Sequence, residues 1–121
     1  MERLLLINTD ILMANKPYGA VQSKLFYELV YDITNIRMDD MNAKEVTLSK
    51  YEMKNRTNSK KYSEKELRER VFGNKKLRQP IKLLDDEYNV KEEVIVFEDV
   101  IEIEDKVKFI FTDRFIQLLY F

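Results

Sequence analysis

The hydrophobic period of this chain changes once, and that change restricts the fold to a mixture of helix and sheet. Val21, Leu25, Phe26, Leu29, Val30, Ile33 and Ile36 recur at the spacing of one helical face, which predicts a core helix over residues 20–36. From Glu93 onward the period is two. Ile95, Phe97, Ile101 and Ile103 share one side of an extended run, with Glu98, Glu102 and Glu104 on the other. Asp105-Lys106 breaks it, and Val107, Phe109 and Phe111 then alternate with Lys106, Lys108 and Ile110. Two such runs around a short polar reversal predict a β-hairpin. Two Gly and two Pro are too few for a turn-rich β-sandwich and suit helices with a little sheet.

Between these anchors the signals are local. Leu4-Leu5-Leu6-Ile7 and Ile11-Leu12-Met13 make a short apolar opening that fits strand or helix, and Lys16-Pro17-Tyr18-Gly19 is a turn signal. Arg37 to Lys44 reads as a polar connection and Val46-Thr47-Leu48 as a short strand. Ser49 is an N-cap for a short helix through Tyr51 and Met53, followed by a polar loop from Asn55 to Lys61. Ser63-Glu64-Lys65-Glu66 matches the capping box: the Ser63 hydroxyl accepts from the Glu66 amide, and the Glu66 carboxylate reaches back to the Ser63 amide. Leu67 and Val71 continue that helix and Gly73 ends it. Pro80 predicts the first turn of another short helix carrying Ile81, Leu83 and Leu84. Thr112 or Asp113 caps a last helix with Phe115, Ile116, Leu118 and Leu119. At 121 residues the chain is read as a single domain, 1–121. Its fold class is α+β, a winged helix: a helix-turn-helix with a C-terminal β-hairpin wing.

Charge is sorted along the chain. From Lys50 to Lys82, twelve cations face four acids, a net of +8, while residues 1–49 carry −2 and residues 83–121 carry −7. The basic middle coincides with the predicted helix-turn-helix, where cations hold phosphates and early recognition-helix residues reach base edges. Lys60, Lys61, Lys65 and Arg68 are the leading candidates for contact with double-stranded DNA. Arg70, Lys75, Lys76 and Arg78 are supporting phosphate contacts, and Tyr62 adds a hydroxyl. The counter-reading is a solvated helix, since Glu64, Glu66 and Glu69 interleave with these cations.

Other chemistries are poorly served. The chain has no Cys for a disulfide and no His, the commonest general base and zinc ligand. Gly19 and Gly73 alone cannot form a phosphate-cradling loop. Glu98, Asp99, Glu102, Glu104 and Asp105 lie along an extended strand and diverge, which suits a charged outer face better than a cation site. The expectation is a non-enzyme without metal or cofactor. Leu4–Ile7 is too short for a signal core or a membrane span, so a cytoplasmic protein is expected. The apolar ending Leu118-Leu119-Tyr120-Phe121 predicts either a homodimer contact through the C-terminal helix or a continuation into a longer chain.

Three stretches carry a resemblance. They are Leu6 to Ala14 with Val21 to Leu29, Val46 to Glu52, and Ile101-Glu102-Ile103 through Lys108 to Phe115. Together the chain resembles the N-terminal winged-helix domain of iteron-binding plasmid replication initiators (Rep proteins). The resemblance implies a domain that assists binding to origin DNA, carries dimer contacts, and is normally followed by a second winged helix. The rival expectations are a dimerisation or protein-interaction module and a winged-helix transcriptional regulator.

Overall fold

Asn8 opens the part of the chain that the computed structural model describes, residues 8–120. Its side chain accepts from the Asp10 amide and caps the short helix α1 (Thr9–Met13), while its Nδ2 donates to the Leu118 carbonyl at 2.8 Å. The apolar opening is therefore helical from Thr9, and its Leu4–Ile7 half lies outside the described residues.

Helix α2 (Ala20–Asp39) carries most of the predicted face, with Leu25, Phe26, Leu29, Val30 and Ile33 fully buried and Val21 partly so, while Ile36 is exposed. It runs past Ile36, and the Arg37 guanidinium donates back to the Ala43 carbonyl across the shortened connection. Strand β1 (Glu45–Ser49) leads directly into α3 (Lys50–Arg56). Ser49 and Glu52 form a reciprocal capping box, each accepting from the other's amide at 3.0–3.1 Å. Helix α3 continues to Arg56, inside the stretch expected as loop, because Asp32 and Glu28 of α2 hold the Arg56 guanidinium. Helix α4 (Glu64–Phe72) starts at Ser63 as predicted, but the Glu66 carboxylate accepts from the Ser63 hydroxyl at 3.2 Å, and not from its amide. Gln22 links the two long helices. It accepts from the Gly19 amide and donates to the Val71 carbonyl, which is why a Gln can be buried there. Gly73 ends α4, and a 3-10 helix follows over Gly73–Arg78.

The helix expected after Pro80 is a strand. β2 (Ile81–Leu84) pairs antiparallel with β3 (Val90–Val94). Ile81 and Leu83 are buried while Lys82 is exposed, a period of two that four residues could not satisfy as a helix. Pro80, with no N–H to donate, fits the start of a ladder as well as the start of a helix.

β4 (Phe97–Ile103) and β5 (Lys106–Phe111) form the expected hairpin, reversing at Glu104-Asp105, one residue early, with Glu104 at φ 55°. β1 joins the other edge of β5, giving the order β1-β5-β4. A bulge between Phe97 and Asp99 overturns the predicted facing of the acidic strand. Phe97 points inward, but past the bulge Val100 and Glu102 pair with Phe109 and Val107 and so share their face, with Val100 half-buried and Glu102 exposed near the end of the strand. Ile101 and Ile103 turn outward, and Ile103 is 52% exposed.

Helix α5 (Asp113–Leu118) is capped by Thr112, whose hydroxyl accepts from the Phe115 amide. Phe115 stacks on Phe111 at 5.4 Å and meets Phe26 edge-on at 5.8 Å, so α5 closes the core between the sheet and α2. Phe115, Ile116, Leu118 and Leu119 are all buried within the chain itself. The expected homodimer contact therefore loses its apolar side chains to the core. Tyr120 is exposed beneath the Arg37 guanidinium, and Phe121 lies outside the described residues. The architecture is mixed α+β with two small antiparallel sheets. Among the described residues no helix is long and apolar enough to cross a membrane.

Candidate nucleic-acid interface

Two buried hydroxyls shape the turn between α3 and α4. Thr57 Oγ1 donates to the Met53 carbonyl at 2.6 Å and lies 2.9 Å from Ser59 Oγ, and the Ser59 amide donates to the Lys54 carbonyl. Asn58 takes a left-handed conformation, φ 56°, which an Asn tolerates better than most residues. The Met53, Lys54 and Asn55 carbonyls near the end of α3 are thus satisfied from within the turn. This tethering leaves Lys60 and Lys61 exposed just ahead of α4.

The eight predicted contact residues separate into distinct groups. Lys60, Lys61 and Lys65 are exposed around the first turn of α4, and none of the three has a carboxylate partner among the described residues. Arg68 is held by Glu102 through two hydrogen bonds of 2.9 and 3.1 Å, and Lys50 approaches the same carboxylate at 3.8 Å. Arg70 lies over the Tyr62 ring at 4.3 Å, with Lys61 also over it at 5.2 Å. Lys76 shares a shallow depression of about 300 Å³ with Tyr62, Glu69 and Arg70, on the side of α4 facing the start of α2. Lys75 and Arg78 flank a smaller hollow of about 200 Å³ beside Val100 and Glu102, and Arg78 is engaged by Asp99 and the Glu98 carbonyl.

The charges sorted along the sequence recombine in space. Glu102 takes Arg68 and Lys50, Asp99 takes Arg78, and Glu93 takes Lys82, each pair joining the basic middle to the acidic third. Arg56 is neutralised by Asp32 and Glu28 of α2. Seven cations of the segment remain without an ion pair among the described residues: Lys54, Lys60, Lys61, Lys65, Arg70, Lys75 and Lys76. The Arg68 hydrogen bonds hold the Glu102 carboxyl below its usual range, so it stays a charged counter-ion near neutrality. Among the described residues no three acids converge as a metal site.

Two lysines outside the predicted set belong with it. Lys50 and Lys54 of α3 line a cavity of about 400 Å³ together with Lys65 and Arg68 of α4. Their i, i+4 spacing in a helix capped by Ser49 was a usable signal for placing them on one face. The role of Glu102 had no such signal, because the bulge at Phe97 decides which way it faces.

No family model, curated protein or solved structure matches this chain.

Proposed function

We propose that this chain is the DNA-docking, winged-helix domain of a plasmid-type replication initiator, acting in the cytoplasm without catalysis. In this reading α3 and α4 are the helix-turn-helix, α4 is the element that approaches the major groove, and the β4–β5 hairpin is the wing. The observation that carries it is the exposed, carboxylate-free trio Lys60, Lys61 and Lys65 at the start of α4. The strand order β1-β5-β4, with α3 and α4 inserted after β1, supports the same reading. The likeness of Val46 to Glu52 and of Ile101 to Phe115 to iteron-binding initiators favours an origin over an operator as the target. Phosphate neutralisation supplies the binding, and counterion release makes it salt-dependent. Arg68, Lys50 and Arg78 join the contact only by exchanging Glu102 or Asp99 for phosphate.

The test is fluorescence anisotropy on labelled duplex DNA across a salt series. The expected slope of log K against log salt is about −0.9 per phosphate, hence roughly −3 for the trio alone. Reversing all three lysines (Lys60→Glu, Lys61→Glu, Lys65→Glu) abolishes binding on this account. A folded wild-type chain that binds no duplex at low salt refutes it.

A further inference from the structure

The cavity between α3 and α4 has a chemistry that phosphate docking does not require. Its volume, about 400 Å³, lies within the range of small-molecule sites. Its base is Met53 and Leu67, both nearly inaccessible, and its walls include the Tyr51 and Phe72 rings, Tyr51 being largely exposed. Four cations, Lys50, Lys54, Lys65 and Arg68, surround that apolar interior against a single acid, Glu64. At the margin of this ring the structure already shows what the cations accept: the Glu102 carboxylate, held by Arg68 and approached by Lys50. Lys54 and Lys65 have no such counter-ion among the described residues.

We infer that this cavity binds a small amphipathic carboxylate, an aromatic acid whose ring sits between Tyr51 and Phe72 and whose anion pairs with Lys54 and Lys65. Apolar walls with a few placed charges are the usual composition of such sites. Ring stacking and cation–carboxylate pairing together select an aryl acid over both its neutral analogue and a plain inorganic anion. Lys65 also belongs to the proposed DNA face, so an aryl acid bound here competes with duplex. The binding itself is measured without DNA and stands or falls apart from the DNA reading.

The experiment is calorimetric titration of the whole chain with 2-naphthoate, alongside neutral 2-naphthalenemethanol and inorganic phosphate. A ligand of this size in a good pocket is expected to bind with a Kd of roughly 0.1–1 mM. The alcohol and phosphate should each bind at least tenfold more weakly. Lys54→Gln with Lys65→Gln should weaken 2-naphthoate about tenfold, whereas Lys106→Gln with Lys108→Gln, equal in charge but on β5, should leave it unchanged. Both pairs lie on solvent-accessible side chains, and circular dichroism verifies that each double variant is folded. Equal affinity for acid and alcohol overturns the inference. So does unsaturable binding, or an unchanged Kd in the Lys54/Lys65 variant.

Discussion

If the chain docks on duplex DNA as proposed, replacing Glu102 by Gln should make that binding tighter and more salt-sensitive. The Glu102 carboxylate occupies both Arg68, through two hydrogen bonds, and Lys50, at 3.8 Å. The neutral carboxamide keeps the shape but gives up the charge that competes with phosphate. If only Lys60, Lys61 and Lys65 contact phosphate in the wild type, the salt slope is roughly −3, and release of Arg68 and Lys50 steepens it to about −4 to −5. Each added phosphate contact is worth up to about 8-fold in affinity at 0.1 M salt, from the same counterion-release relation. Stability should change little, because Arg68 is 64% exposed and such pairs contribute weakly. The assay is duplex anisotropy over a salt series, with Glu87→Gln, in the β2–β3 turn, as the control of equal charge. An unchanged slope, or the same gain in the Glu87 control, refutes the idea that Glu102 masks specific cations.

Four further outcomes follow from the packing. Arg56→Ala leaves Asp32 and Glu28 adjacent without their shared cation, and should cost about 1–3 kcal/mol in denaturant unfolding. Phe115→Ala should cost about 3–5 kcal/mol while the sedimentation coefficient at folding conditions stays that of the wild type, because Phe115 serves the core. The Tyr18 hydroxyl is buried with no hydrogen-bond partner among the described residues, and burial pushes its pKa upward, so Tyr18→Phe should be neutral or stabilise by up to about 1 kcal/mol. Arg114 hydrogen bonds at 2.6–2.7 Å hold the Glu92 carboxyl below its usual range. That contribution is full above the ordinary carboxylate pKa and is lost as pH falls through the lowered one, so wild type and Glu92→Gln should converge in stability on acidification below the ordinary carboxylate pKa.

What could be read in the sequence was what local chemistry decides. The α2 face, the caps at Ser49, Ser63 and Thr112, and the alternation of Val107, Phe109 and Phe111 all follow from spacing or from one side chain and its nearby amides. The larger failures came from long-range terms, whereas the Ser63–Glu66 cap and the hairpin reversal missed only in local detail. The strand at Ile81–Leu84 exists because Val90–Val94 pairs with it, and that partner, Val-Lys-Glu-Glu-Val, is too polar to advertise a strand. The bulge at Phe97/Asp99 moves Glu102 onto the face of Val107, within reach of Arg68 and Lys50, and without it the acidic strand looks like an outer face facing water. The candidate site was legible in part for the same reason. Lysines around a capped helix can be located from sequence, but which of them remain unpaired depends on where the acidic hairpin packs.

Duplex docking on α4 is tested most directly by a ¹⁵N amide chemical-shift map of the chain titrated with a short duplex. Perturbations should concentrate in residues 57–68, with Lys60, Lys61 and Lys65 largest, and leave β2–β3 unaffected. Perturbations centred on the outer face of β1-β5-β4, around Ile101 and Lys108, would contradict that docking, as would a spectrum that duplex DNA leaves unchanged.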